Sequence, residues 1–256
     1  MKKLIAALAL VIMSTSALHA DFVRVWVGGG MWNSAMSGEA QGDGNLDDRF
    51  DLKDDMGVDK SSNTYVWAMF KHFVPVIPNL RVEMTNYAVD GTKNINFDFA
   101  GTTFSGNTKT EINLNQTDAI LYYNILDNTL WTTIDLGLGV KMYSGDITLT
   151  ESVGGTSETL DIDAPIPYAY VRARVEVPMT GLAFEADTKN IAVGDISVND
   201  TRAKIDYDVF TSLPLLDLGL ELGYRTQTIK FDTGDSGDPY LDITIAGLFF
   251  GANLKF

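Results

Sequence analysis

Between Leu130 and Tyr143 the chain changes character at every second residue. One parity carries Leu130, Ile134, Leu136, Leu138, Val140 and Met142, with Thr132 among them. The other carries Asp135, Gly137, Gly139 and Lys141. Successive side chains of a β-strand point to opposite faces, so this pattern describes a strand with one apolar face and one polar face. The run is longer than the 9–11 residues that carry a tilted strand across a bilayer. A helix cannot use a period of two, and no segment of the chain has 18 consecutive apolar residues, so helical spans are excluded.

The same alternation returns along the chain. Leu216, Leu218, Leu220, Leu222 and Tyr224 oppose Asp217, Glu221 and Arg225. Ala169, Val171, Ala173, Val175 and Val177 oppose Arg172, Arg174 and Glu176. Leu182, Phe184 and Ala186 oppose Glu185, Asp187 and Lys189, while Ala203, Ile205, Tyr207 and Val209 oppose Arg202, Lys204, Asp206 and Asp208. Weaker versions lie at 22–32, 63–73, 80–90 and 112–125, and a last segment covers 241–256. Ten such segments predict an all-β, antiparallel up-and-down transmembrane barrel of ten strands, with eight or twelve as alternatives. A soluble lipocalin-like barrel or sandwich would turn its apolar face inward. Here the charge-free face runs for about ten residues at a time, which suits lipid.

The N-terminus reads as an address. Lys2 and Lys3 precede the apolar run Leu4–Met13, and a smaller, more polar stretch ends at Ala20. This is the layout of a secretory signal peptide, with residues 1–20 removed and 21–256 forming the barrel domain. The formal charge of −15 then becomes −17 as both lysines leave. The absence of cysteine excludes a disulfide scaffold, a thiolate metal site and a Cys nucleophile. A pI near 4.4 excludes the basic footprint that nucleic-acid binding needs.

The final strand ends with Leu248, Phe250, Ala252, Leu254 and Phe256 on one parity. With the export signal and the alternating segments, it resembles the targeting signature of Gram-negative outer-membrane β-barrels. That resemblance implies that assembly machinery reads this strand, with Phe250, Leu254 and Phe256 as its signal. Phe73-Val74-Pro75-Val76-Ile77-Pro78-Asn79, Phe184-Glu185-Ala186-Asp187 and Gly223-Tyr224-Arg225 resemble a family of uncharacterised outer-membrane barrels of this length. The resemblance spans most of the chain and implies a fold and a location, with outer-membrane lipid and lipopolysaccharide as neighbours. It implies no activity, and oligomeric state stays open.

Connections alternate. Short ones are expected at 74–79, 126–129, 178–181 and 211–215, and long ones at 33–62, 91–111, 144–165, 191–200 and 231–240. Short periplasmic turns and long outer loops are what such barrels show. Parity assigns eleven bases to the lumen: Arg24, Lys71, Arg81, Lys141, Arg172, Arg174, Lys189, Arg202, Lys204, Arg225 and Lys255. It assigns ten acids: Glu83, Asp118, Asp135, Glu176, Glu185, Asp187, Asp206, Asp208, Asp217 and Glu221. The interior is therefore near neutral, at +1, and the remaining −18 lies mostly in outer loops. A narrow barrel has room mainly for side chains, so opposite charges are expected to pair as filling. The rival is a small cation-preferring channel or porin, with acidic loops concentrating cations at its mouth.

Few residues suggest other chemistry. His72 is the one histidine after residue 20 and falls at the periplasmic rim beside a Pro-rich turn. Barrel hydrolases of the omptin and lipid A deacylase kinds work at the outer rim, so an enzyme is the weakest of three readings. Asp43, Asn45, Asp47, Asp51 and Asp54 fall at positions 1, 3, 5, 9 and 12 of a calcium-type loop, but the sixth position is Asp48 instead of Gly. The blander reading is an acidic surface loop. No cofactor is expected beyond a divalent cation there. Gly28, Gly29, Gly30, Gly137 and Gly139 precede no amphipathic helix and read as strand glycines that relieve crowding.

Overall fold

A computed structural model describes residues 23–41, 49–99, 101–210, 216–232 and 240–256. The expected signal peptide, the turn at 211–215 and the candidate metal ligands Asp43, Asn45 and Asp47 lie outside these residues. The strands are β1 (Val23–Gln41), β2 (Phe50–Asp51), β3 (Lys60–His72), β4 (Asn79–Phe99), β5 (Thr102–Thr129) and β6 (Thr132–Glu151). They continue as β7 (Ser157–Val177), β8 (Leu182–Val193), β9 (Ile196–Phe210), β10 (Asp217–Asp232) and β11 (Tyr240–Lys255).

Ten of them form a closed antiparallel barrel, each pairing with its neighbour in sequence. The pairing of β11 with β1 closes the ring, and the two-residue β2 is an appendage on β1. The first described strand and the C-terminal residue meet at the closing seam. Val25 N–H donates to the Phe256 carbonyl at 3.2 Å, and Phe256 N–H donates to the Val25 carbonyl at 2.9 Å. The end of the barrel holding this seam is the terminal end, and the opposite one is the loop end.

The wall changes its logic partway along. Toward the terminal end the apolar residues point outward: on β6 Leu136, Leu138, Val140 and Met142 are 39–71% exposed, while Asp135 and Lys141 are buried. Toward the loop end the apolar residues of the same strand sit on the other parity, with Leu149 fully buried and Ser144 exposed. β5 repeats the switch, from outward Leu121 and Tyr123 to inward Ile112 and Leu114. On β11 it runs from outward Leu248 and Phe250 to inward Ile245. The apolar parity thus slips by one residue where the outer face leaves hydrocarbon for water. Beyond that level the wall obeys the ordinary rule of a soluble barrel, apolar in and polar out.

Outward hydroxyls and amides mark the level of the slip. Thr188 pairs with Thr201 at 2.8 Å, and Thr228 pairs with Thr244 at 3.3 Å. Asn190 donates to Thr188 at 2.6 Å and accepts from Asn199.

This slip corrects the expected loops. Positions 91–111, 144–165 and 191–200 are largely continuous hairpins, because β4 and β5 pair from Asn79↔Tyr122 up to Phe99↔Thr102. β6 and β7 pair up to Thr150↔Ser157, and β8 and β9 up to Val193↔Ile196. A ladder in water needs no apolar outer face, so hydrogen bonding continues where the lipid pattern stops. The inward apolar side chains of these hairpins form a core with Leu52, Met56 and Val58 from the segment between β2 and β3. Its packing against the wall requires two glycines, since a Cβ on Gly91 would lie 2.4 Å from the Gly57 carbonyl carbon. Phe50 stacks on Phe97 with ring centroids 4.8 Å apart.

Candidate functional site

The lumen at the level of the outward apolar belt is filled by charge. Eight bases are buried there: Arg81, Lys141, Arg172, Arg174, Lys189, Arg202, Lys204 and Arg225. Eight acids are buried with them: Glu83, Asp118, Asp135, Glu185, Asp187, Asp200, Asp206 and Glu221. Alternation places each on the inward parity of its strand, and antiparallel register sets unlike charges opposite one another: Arg172↔Asp135, Arg172↔Asp187, Arg174↔Glu185, Lys141↔Asp118 and Glu185↔Lys204.

All sixteen belong to one connected network. Arg172 bridges Asp135 at 2.6 Å and Glu185 at 2.7 Å, and Arg174 bridges Glu185 at 3.2 Å and also Asp206. Lys204 joins Asp206 at 3.4 Å to Glu221 at 2.6 Å. Arg81 links Glu185 at 3.9 Å to Glu83, which takes Arg202 at 2.7 Å and Lys189 from across the lumen. Arg202 also holds Asp187 at 2.9 Å. Lys189 continues to Asp118 at 3.2 Å, Lys141 bridges Asp118 at 2.9 Å and Asp200 at 3.0 Å, and Arg225 holds Asp200 at 2.7 Å. An isolated ion here would carry a desolvation cost of several kcal/mol, and multiple partners around each charge offset it.

Aromatic side chains complete the layer. Tyr65 donates to Glu221 at 2.6 Å and Trp67 Nε1 to the same carboxylate at 3.3 Å. Lys204 lies 4.9 Å from the centre of the Trp67 ring and Arg225 lies 4.8 Å from that of Trp32. Tyr168 donates to Asp118 at 2.7 Å. The strand glycines make room for these rings: a Cβ on Gly28 would fall 2.6 Å from the Trp67 ring, and one on Gly139 would fall 2.6 Å from the Tyr168 ring.

Toward the loop end, Gln116 and Gln227 reach across the lumen and exchange amide hydrogen bonds of 3.1 and 2.7 Å. The apolar core lies beyond them. Toward the terminal end, a cavity of about 80 Å³ is lined by Arg24, Trp26, Lys71, Asp127 and Glu176, among others. The Trp26 ring faces Arg172, Arg174 and Lys255 at 5.5–5.7 Å.

Of the sequence-derived lumen residues, Arg81, Glu83, Asp118, Asp135, Lys141, Arg172, Arg174, Glu185, Asp187, Lys189, Arg202, Lys204, Asp206, Glu221 and Arg225 meet in the network. Glu176 is 44% exposed at the terminal rim and pairs with Arg174 at 3.3 Å. Asp217 lies half-buried at that rim, in register with Lys255. Lys71 and Lys255 pair there with Asp127 and Asp208, and Arg24 is exposed.

Asp200 is a correction, because the sequence placed it at the end of an outer loop. It lies on β9 and accepts from Lys141, Arg225 and Gln227. It shares parity with Arg202, Lys204 and Asp206, so extending that alternation by one step would have found it. Tyr65, Trp67, Gln116 and Gln227 had no such signal, since neutral residues at inward positions look like any strand residue.

The other candidates are occupied locally. His72 Nδ1 accepts from Val74 N–H at 3.1 Å and its Nε2 meets the Pro78 carbonyl at 3.2 Å, so the ring staples the β3–β4 turn. Asp51 accepts backbone N–H bonds from Lys53 and Asp54 at 2.8 and 2.7 Å, which makes it the cap of a tight turn; Asp54 is exposed. Among the described residues no group of three acidic or His side chains is placed to hold a metal ion. At the loop-end surface Lys109 is held above the ordinary lysine range by its hydrogen bond to Glu111.

No protein-family profile and no curated protein sequence matches the chain. Solved structures with a similar course are outer-membrane barrels. The outer membrane protease OmpT from Escherichia coli aligns over 93% of this chain and 97% of its own, at 9% identity and a TM-score of 0.47. Ail of Yersinia pestis, described as an attachment invasion locus protein, aligns over 92% and 99%, at 9% identity and 0.39. Neisserial surface protein A aligns over 91% and 97%, at 11% identity and 0.31.

Proposed function

We propose that this protein is a sealed, non-enzymatic barrel of the outer membrane that displays acidic hairpins to the exterior. The observation that carries the reading is the filling of the lumen at three successive levels. These are the sixteen-charge network, the Gln116–Gln227 pair, and the apolar core closed by Leu52, Met56 and Val58. An ion crossing this interior would have to break pairs that are each buried and multiply bonded. The terminal end faces the periplasm, as its short turns and the C-terminal residue suit that side.

The hairpins carry the negative charge outward. Asp90 stands directly opposite Glu111, and Asp146 opposite Asp161. Like charges facing each other across a ladder are destabilising; Lys109 offsets the first pair by bridging Glu111 at 2.7 Å, and divalent cations shared with lipopolysaccharide or surface polysaccharide relieve the second. Assembly uses the C-terminal strand, where Phe250 and Leu254 point outward and Phe256 bonds the first strand.

Reconstitution of the mature protein in a planar bilayer tests the seal. The expected result is a membrane current indistinguishable from lipid alone at every voltage. Stable unitary steps would overturn the reading in favour of the cation-preferring channel. A second reading as a hydrolase finds no support in His72, whose two ring nitrogens are both used in the turn.

A further inference from the structure

The lipid-facing wall carries a furrow whose course follows the register of five strands. Leu80 pairs across to Leu121, Leu121 to Leu138, Leu138 to Ala169, and Ala169 to Asn190. Four inter-strand steps of about 4.8 Å make this row about 19 Å long. It starts at the first residues of β4, near the terminal end, and finishes three residues from the loop end of β8. Because barrel strands tilt, the row climbs diagonally through the lipid belt. Ala119, Val140, Pro167 and Ala192, one row nearer the loop end, also line it, and the small residues of the two rows make its floor beside a single ridge of Leu80, Leu121 and Leu138. The furrow is shallow and open to the lipid side, with about 830 Å³ of space over its lining.

Its upper end is a break in the wall. Pairing of β7 with β8 stops at Ala169↔Asn190, although β8 runs on to Val193, opposite the Ile166–Tyr168 stretch of β7. The ladder between β6 and β7 continues without interruption through Pro165 and Pro167. The donors that the prolines lack are therefore those that would face β8. The prolines hold this seam open at the level where Thr188, Asn190 and Asn199 form the outward polar belt. Backbone groups at such an opening in a bilayer need a polar partner, while the furrow below needs hydrocarbon.

From this arrangement we infer that the furrow is a binding site for one acyl chain of an outer-leaflet glycolipid, with the ester or amide linkage of the chain at Asn190 and the β7–β8 opening. The furrow is continuous with the lipid-facing belt, so membrane lipid is its occupant. Its polar end lies at the outer boundary, which selects the outer leaflet. The inference rests on the outer-membrane reading above.

The mature protein, refolded into micelles containing both lipid A and phosphatidylethanolamine, tests this by native mass spectrometry. The expected result is one retained lipid A. Filling the floor by the double substitution Ala119→Leu and Ala169→Leu is expected to reduce that retention about tenfold. Ala246→Leu with Ala252→Leu, on β11 across the barrel, is expected to leave it unchanged. Equal retention by both doubles, or retention of phosphatidylethanolamine in place of lipid A, overturns the inference. A heat-dependent gel shift reports whether each protein has formed a barrel. If the parent protein forms none in lipid, it is the membrane reading that fails.

A second measurement avoids filling the furrow. The chain has no cysteine, so a single fluorophore can be placed at Ala119→Cys or Ala252→Cys. Lipid A with brominated chains should quench the Ala119→Cys label at low mole fraction and the other label only in proportion to its amount. Superimposable quenching curves overturn the site.

Discussion

Two halves of one lumen use opposite chemistry. Toward the terminal end the interior is sixteen interlocked charges behind an apolar outer wall; toward the loop end it is an aliphatic and aromatic core behind a polar wall. The strands are the same and the pleat is unbroken, so backbone geometry does not set the difference. The medium outside does. Where the outer face meets hydrocarbon, the polar parity has to point inward, and it is tolerable only as a neutral, fully paired network. Where the outer face meets water, apolar residues move to the inward parity and drive packing in the usual way.

The largest expected effect comes from leaving charges unpaired in the ionic half. Glu83→Ala removes the carboxylate shared by Arg81, Lys189 and Arg202 and leaves one buried positive charge without its counterpart in the network. It should cost about 3–5 kcal/mol, read as a drop in the temperature at which the folded gel band disappears. A stability equal to the parent would show that the network is not what holds this half.

Leu149→Ala tests the apolar half. Leu149 is fully buried, and its truncation should cost about 2–5 kcal/mol, as in a soluble core. A near-neutral result in urea unfolding would mean that the loop-end interior is loosely packed.

A smaller, sharper contrast uses one face of one strand. Leu138→Arg places a cation against lipid and should cost about 2–4 kcal/mol. Thr148→Arg, on the same outward parity of β6 but beyond the slip, should stay within about 0.5 kcal/mol of the parent. Equal effects on stability in detergent-free vesicles would erase the boundary drawn between the halves. The smallest effect is expected at Lys230, which pairs with Asp242 at 2.7 Å on the open surface. Lys230→Ala should leave the unfolding midpoint unchanged.

The same contrast explains what could be read in the sequence. Strands such as Leu216–Arg225 were legible because lipid enforces one parity for the whole crossing. The network members on those strands were legible for the same reason. The hairpins were not. When apolar residues pass from Met142 on one parity to Ile147 and Leu149 on the other, the alternation loses phase, and lost phase looks like a loop. Glycine and asparagine at 91–111 strengthened that impression, although Val89, Ile95, Phe97 and Phe99 keep the inward parity throughout. The role of residues 49–59 as core was hidden in another way, because Leu52, Met56 and Val58 are spaced among four acids that stay at the surface.

The phase slip also acts as a ruler. On β6 the outward apolar run extends from Ile134 to Met142, after which Ser144 begins the polar wall. Eight steps of about 3.3 Å, tilted by about 40°, give a hydrophobic height of about 20 Å. The bacterial outer membrane is thinner than the average bilayer of about 30 Å, and mismatch costs a fraction of a kcal/mol for each ångström. A thickness is therefore written into the order of residues, and it matches one membrane of the cell better than the other. Carried into a thick bilayer, this barrel would drag its Thr and Asn belt into hydrocarbon or pinch the surrounding lipid to meet it.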